Sequence, residues 1–570
     1  MRHTVVILLF LLCFADKSYA THFYGVDLFY TYVSGDTYKV TMVAYGDCSG
    51  AQFPSFSNSK PLIHIRKDSL EITSGYLEWE PPQNGTEVTP VCPAELNNTT
   101  CVNPAGTVPG VKKFVYSRNF TLTGTSDKWK FVFLGETNGP IIAGRSIALT
   151  NVTSAGIIEL VATLDNTKDN NSSPVYTTIA TPFYCVNRAT NFNPGAVDAN
   201  GDSLVYELVP GLDAQQQLIY ATGFSGKNPL DVVPGKFVFN STNGQLSFTP
   251  ATIQRSLVVY KVSEYRKGAL IGSSMREMTV VVMNCDNNAP AGYITNAEGA
   301  TIKDSVTVKT CASDHNVSFD INPKDADSGN TITMVANGLP KDSKLDITAN
   351  NTTAPTSRFS WDMHSVPAGD YTFFVTYTDN GCPIASRQTQ AYTISVIPTD
   401  LHLDAIPAGC LNQGYLQVST PEGWQPWGYK VYSNMTEVYN VDNIKNNTTG
   451  DSLASGRYRV TATNSLGCIA EGDAIVTTNC NIADLPNAFS PNGDGNNDIL
   501  YVMGKGIRDV HLRIYNRWGQ MVFESTDLKT GWDGKFAGNT APVEAYAYLL
   551  SVVFENGEAI DKKGNVTLLR

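Results

Sequence analysis

The chain has 570 residues and a formal charge of −12, with 46 Gly, 29 Pro and 11 Cys. Only 16% of its residues are charged, against roughly 25% in an average soluble domain, while 27 Tyr and 24 Phe are present. So many aromatic side chains exclude a disordered chain, and the acidic balance excludes a nucleic-acid binder, which needs a basic stripe against phosphates. At about 150 residues per domain the length predicts about four or five modules. The cysteine content, without a metal-binding spacing, fits an oxidising compartment.

In chain order, Arg2 and His3, the apolar stretch Val5 to Leu12 and the small-x-small end Ser18-Tyr19-Ala20 predict a signal peptide over 1–20. The apolar stretch is shorter than the about 20 residues that span a bilayer. Cleavage after Ala20 removes Cys13 and leaves an even number of cysteines. No later stretch approaches the length of a spanning helix, so the mature chain is expected to contain no transmembrane helix.

Beyond Ala20 the hydrophobic pattern has period two. Phe23 to Tyr32 and Tyr38 to Tyr45 flank the turn signal Ser34-Gly35-Asp36, and similar runs recur at Trp129 to Leu134, Ile157 to Leu164 and Met278 to Met283. No long amphipathic helical pattern appears. The expected fold is all-β, with tandem immunoglobulin-like β-sandwich modules ending in a small β-sandwich. Polar breaks near Asp169 to Pro174, Asn287 to Pro290, Ile397 to Asp400 and Ala483 to Pro486 predict an N-terminal β domain over 21–172, further modules over 173–288, 289–398 and 399–482, and a C-terminal domain over 483–570.

Two modules read as divergent copies. Gly369-Asp370-Tyr371 leads to Cys382, Gly456-Arg457-Tyr458 leads to Cys468, and Cys311 and Cys410 open the two units. The expected disulfides are Cys311–Cys382 and Cys410–Cys468, each closing a loop worth about 4 kcal/mol in the chain-entropy model. Cys92 with Cys101 and Cys185 with Cys285 are further candidates, and Cys48 and Cys480 are left unassigned.

Motifs for catalysis are scarce. The histidines stand singly, without an H-E-x-x-H or C-x-x-C spacing for zinc, and no phosphate-binding glycine loop occurs. Gly201-Asp202-Ser203-Leu204 and Gly450-Asp451-Ser452-Leu453 spell an esterase-like tetrapeptide, yet no histidine follows an Asp by three residues to activate such a serine. Both read as turns. Loops rich in Asp and Asn occur at Asp198 to Asp202, Asp325 to Asp327 and Asn492 to Asp498. Oxygens at Asp198, Asn200 and Asp202 suit Ca²⁺, while Asx-turns with Gly at positive φ account for the same pattern without metal. No cofactor other than calcium is suggested. Trp424 and Trp427 are either a sugar-stacking platform or core residues.

The C-terminal segment carries a denser set of motifs. Phe489, Pro491, Asn492, Gly493, Asp494, Gly495, Asn496 and Asp498 are followed by Tyr515-Asn516-Arg517-Trp518-Gly519, by Trp532-Asp533-Gly534, by Tyr546 and Tyr548, and by a terminal Arg570. Asp494-Gly495 and Asp533-Gly534 are turn dipeptides, Val510, Leu512, Ile514 and Tyr515 are expected on an inward strand face, and Arg517 beside Trp518 suits a cation–π contact of about 0.5–1 kcal/mol. In order and spacing these residues resemble the gliding-motility-associated C-terminal domain, the type B sorting domain of type IX secretion cargo in Bacteroidota. One departure is Glu544-Ala545, where that family often has Gly-Thr.

The resemblance implies recognition of residues 483–570 by the type IX translocon and its cargo-binding components, and a cell-surface, outer-membrane-associated or secreted destination. More loosely, Ala20 to Phe23, Tyr45 to Cys48, Asp198 to Tyr206, Glu264 to Gly268 and Ile271-Gly272 resemble passenger regions of such proteins, which implies an immunoglobulin- or cadherin-like module over 173–288. The expected function is non-catalytic: adhesion, gliding motility or surface assembly, with other surface proteins or polysaccharide as partners. The alternative is a secreted carbohydrate-binding protein or polysaccharide hydrolase, which needs paired carboxylates about 5–10 Å apart.

Overall fold

The computed structural model describes residues 21–570 except 51–52, 140–142, 146–147, 181–182, 215, 410–412, 421–424, 426, 445–447, 450–451 and 478–479. The expected signal peptide, Cys410, Trp424 and Gly450-Asp451 therefore lie outside the described residues. The regular secondary structure of the described residues is strand, apart from two short 3₁₀ helices at Phe53–Ser57 and Pro93–Asn98. No helix among the described residues is long and apolar enough to cross a membrane.

Two compact units are present, one holding residues up to 310 together with 314–396, the other holding 311–313 and 397–570. The first is dominated by a fourteen-stranded sheet. Its middle consists of Ala269–Met283, Thr21–Ser34, Thr37–Asp47 and Val111–Thr121, paired in that order. Leu28 sits opposite Met275 and Gly25 opposite Met278, so the first strand of the chain is hydrogen-bonded to one some 250 residues later. This corrects the expected boundary at 172/173, because Gln254–Arg266 and Ala269–Met283 form a long hairpin that completes the N-terminal sheet. The polar segment at 169–174 is a loop within one domain. Its serines dock it on the strand Thr21–Ser34, with Ser172 Oγ accepting from the Tyr32 amide and Ser173 Oγ from the Tyr30 amide.

Both faces of the central strands are covered. Val40, Met42 and Ala44 enter one apolar cluster, and Val43 and Tyr45 enter the other. Strands buried on both faces read as nearly continuous apolar runs, as Thr37–Asp47 does. A charge pair is buried on each side. Arg276 is 0% exposed, and all five of its N–H donors are used: Asp27 Oδ1 at 2.6 Å, Asp27 Oδ2 at 2.7 Å, Thr178 Oγ1 at 2.8 Å, Thr178 O at 2.7 Å and Pro194 O at 3.3 Å. Its neighbour Glu277 accepts two bonds of 2.7 Å from Arg145, whose remaining donors reach the carbonyls of Ala155, Ile157 and Leu212.

Apart from 311–313, residues 291–396 form a sandwich of a four-stranded and a five-stranded sheet in the same unit. Phe319, Phe359, Phe373 and Tyr392 stack through its core at centroid distances of 4.7–5.5 Å. At one end buried Asp379 accepts from Asn287 Nδ2 and from the amides of Gly381 and Ser386. Burial outweighs these bonds and pushes the Asp379 carboxyl up to about 6 from 3.8. A folded-state value above the unfolded one means that the protonated fold is favoured at low pH. That contribution is lost as the pH rises from about 4 through 6. A carbon-13 titration of the Asp379 carboxyl is expected to show a midpoint near 6, and a midpoint below 4.5 would contradict the burial argument.

In the second unit, strands within 402–476 make a sandwich of three and four strands. Trp427 is 2% exposed, packed against Tyr429 at 5.5 Å among Leu416, Val418, Val431 and Val460. It is a core residue, not a sugar platform. Its position in a strand buried on the inner face decides this.

Of the expected disulfides, Cys185–Cys285 is formed and the others are replaced by different pairings. The bonds are Cys48–Cys101, Cys92–Cys382, Cys185–Cys285 and Cys311–Cys468. Cys480 is also disulfide-bonded. The two expected intramodule bridges, Cys311–Cys382 and Cys410–Cys468, and the local Cys92–Cys101 loop are not formed, because strand register places other partners first. Val91 bridges Ile384 and the Cys92 amide donates to Pro383 O, which sets Cys92 beside Cys382 with Cα atoms 5.2 Å apart. The Cys48 amide donates to Gly110 O, and Gly110 lies against the Cys101 sulfur, which brings Cys48 and Cys101 together.

Candidate functional site

Residues 483–570 have a core of their own within the second unit. A five-stranded sheet joins Ala488–Phe489, Ala559–Leu568, Ala545–Phe554, Ile507–Tyr515 and Met521–Ser525, the first pair being parallel. Val510, Leu512 and Ile514 point inward, with Tyr546, Leu550, Val552 and Val566. Tyr515 is only half-buried, which corrects its expected place on that face: it follows Ile514 directly, and successive strand residues point to opposite faces.

The motif residues divide into those that build the fold and those it displays. Trp532 is fully buried, 5.2 Å from Phe489 and 4.7 Å from Tyr546, and its indole N–H donates to Lys535 O. Asp533 Oδ1 caps the turn by accepting the Lys535 amide. Gly534 has φ +73°, and a Cβ there would meet Pro491 Cγ at 2.8 Å, so glycine is required twice over. Arg570 donates to Ala541 O at 2.7 Å and ties down the chain end.

The loop from Asn492 to Asp498 satisfies itself. Asp498 accepts the amides of Gly493 at 2.6 Å and Gly495 at 2.8 Å, Asn492 Oδ1 accepts the Asp494 amide, and Asp494 Oδ1 accepts the Asn496 amide. The N–H groups of Gly493 and Gly495 hold the Asp498 carboxyl below its ordinary value. These are chained Asx-turns, and their carboxylate oxygens are taken up within the loop, Asp494 Oδ2 accepting from Asn492 Nδ2.

What is displayed is the next turn. Asn516 Oδ1 accepts the amides of Trp518 and Gln520, Gly519 closes the turn at φ +76°, and Trp518 is left 85% exposed at the tip. Arg517 does not need the tryptophan ring as a partner, because it forms an ion pair with Glu544. The position that departs from the family pattern thus supplies the counter-charge that steadies the turn. Sequence reasoning missed this link because Glu544 is 27 residues away and reaches Arg517 only across the sheet.

A second cluster lies in the first unit. The turn Asp198 to Asp202 meets the strand Gln254–Arg266, and ligand oxygens of Asp198, Asp202 and Glu264 all lie within 4.8 Å of one another. Asp198 Oδ1 accepts the amides of Asn200 and Asp202, while its Oδ2 is buried without a partner. Glu264 is 0% exposed; Oε2 accepts from Asn171 Nδ2, and Oε1 has no partner. Both oxygens of Asp202 are held by Arg266, at 2.8 and 2.7 Å. The esterase-like tetrapeptide at 201–204 is therefore a turn whose aspartate serves an ion pair. Burial, with the nearby Asp198 and Asp202 charges, pushes Glu264 up to about 8, and burial with Asp202 also raises Asp198. Asn200 is not part of the cluster, since its Oδ1 accepts the Ser172 amide. Glu264 was not legible as a member, because only strand pairing brings it to the turn: Leu204 sits opposite it.

Among curated proteins, none matches the chain. Solved structures with similarity include the mouse nectin-like molecule 4 ectodomain, at 11% identity over 53% of this chain and 98% of that chain, with TM-score 0.21. Protocadherin gamma B2 extracellular cadherin domains 3–6 match at 10% identity over 70% and 99%, with TM-score 0.21. A tetra-tandem repeat from the extending region of a large adhesion protein matches at 16% over 72% and 95%, with TM-score 0.20. Likeness at that level carries no argument about function. The sorting segment is different: residues 483–568 match the family described as the CHU_C type IX secretion signal domain, which marks the chain as cargo of type IX secretion, bound for the cell surface or the medium.

Proposed function

We propose that this is a non-catalytic protein of the cell surface or the secreted fraction, whose β modules serve adhesion, gliding motility or surface assembly after export directed by residues 483–570. The observation that carries this reading is the sorting-domain match on a separately cored sandwich. The all-β, disulfide-braced passenger supports it: stacked sheets stiffened by bonds such as Cys92–Cys382 and Cys311–Cys468 suit a scaffold working in an oxidising exterior.

The exposed turn provides the test. Trp518 contributes little to the core, so Trp518→Ala is expected to change stability by less than about 0.5 kcal/mol. Export should fall severalfold, because an 85% exposed tryptophan is a large apolar contact available to a recognition partner. The assay is a fluorescent reporter fused to residues 483–570 behind a signal peptide, followed by fractionation of cells with a working type IX system. Periplasmic retention of the unaltered fusion contradicts the export reading. Unchanged attachment and spreading after gene deletion, combined with polysaccharide hydrolysis by the purified protein, contradicts the non-catalytic one.

A further inference from the structure

We propose that Asp198, Asp202 and Glu264 form a binding site for one calcium ion in the first unit, with Glu264 as its buried ligand. The donors are all oxygens, with no imidazole or thiolate, which selects a hard cation. Oxygens on opposite sides of a Ca²⁺ ion, each at about 2.4 Å, lie about 4.8 Å apart. The three carboxylates fall within that span.

The stronger point is the state of the individual atoms. Asp198 and Glu264 each commit one oxygen to the protein and leave the other buried and unpartnered. Leaving a buried carboxyl oxygen without a partner is costly, and two such oxygens in one cluster point to a missing positive partner. Arg266 does not fill the role: its guanidinium is engaged by both oxygens of Asp202 and lies 3.4 Å from Asp169. Space is kept as well. A Cβ on Gly272 would meet Glu264 Oε1 at 2.9 Å and Tyr30 Oη at 2.6 Å, so the backbone there leaves room for the carboxylate and the phenol. Water would complete the six to eight oxygens that Ca²⁺ takes. A bound ion would tie the turn at 198–202 to the strand Gln254–Arg266 and, through Asn171, to the loop that follows the strand Leu160–Leu164.

The test uses the full mature chain stripped with EDTA, titrated with calcium chloride by calorimetry and followed by thermal unfolding. One Ca²⁺ per chain is expected, with Kd on the order of 10⁻⁴–10⁻³ M as in extracellular modules, and a rise in Tm that follows calcium concentration. Asp198→Asn and Glu264→Gln should each weaken binding by about tenfold or more, whereas Asp325→Asn, in a separate acidic loop, should leave it within about twofold. If Glu264→Gln does not fold, Asp198→Asn decides the matter alone. Absence of both heat and Tm shift at several millimolar calcium overturns the proposal. So does binding that survives Asp198→Asn unchanged, and so does equal binding of magnesium.

Discussion

Replacing Asp27 with alanine is expected to destabilise the first unit by about 3–5 kcal/mol, because it strands a fully buried guanidinium. Arg276 has no route to water and loses both of its bonds to a carboxylate, at Asp27 Oδ1 and Oδ2. The site joins the first strand of the chain to one of the last in the sheet, Asp27 lying opposite Arg276 in register. Urea denaturation should show a lower midpoint at unchanged slope. The double replacement of Asp27 by Leu and Arg276 by Met is expected to recover part of the loss, since an apolar pair removes the desolvation cost. Recovery stays incomplete because Thr178 Oγ1 and the Thr178 carbonyl then lose Arg276 as their donor, while Pro194 O keeps the Thr178 hydroxyl. A loss under about 1 kcal/mol for the single replacement would show that water reaches Arg276.

The second large effect concerns Cys92–Cys382, which closes a loop across a sequence separation of 290. Chain-entropy reasoning assigns such a closure about 6 kcal/mol, and native bridges commonly deliver about 2–5 kcal/mol on removal. Replacing both cysteines with serine is therefore expected to lower the unfolding free energy of the first unit by several kcal/mol. The same change at Cys48–Cys101, with a separation of 53, is expected to cost about 1.5 kcal/mol less, since closure entropy grows only with the logarithm of loop length. Denaturant titration of the two double variants side by side reads the difference. A larger loss at Cys48–Cys101 would place the stabilisation in local strain or packing instead of loop entropy.

Features that depend on neighbours in sequence were legible from the residues alone. Alternation in runs such as Tyr38 to Tyr45 announces strands, because the pleat repeats every two residues. The motifs at 489–498, 516–519 and 532–534 announce turns, because Asn, Asp and Gly act on their own backbone within a few residues. The sorting domain consists of such local signals in a fixed order, so it could be read directly from the chain.

Features set by pairing at a distance could not be read that way. The polar stretch at 169–174 has the composition of a linker. It becomes an internal loop only because the hairpin spanning 254–283 returns to the first strand. Cysteine partners follow register, which one sequence leaves open. Glu264 joins Asp198 and Asp202 through the pairing of Ser203–Leu208 with Gln254–Arg266, and Glu544 joins Arg517 across a sheet. The sequence by itself thus determined an all-β, exported chain with a C-terminal sorting signal. Tertiary structure decided which cysteines bond, where the first domain ends, and which carboxylates share a buried cluster, because each of these depends on strand register between residues far apart in the chain.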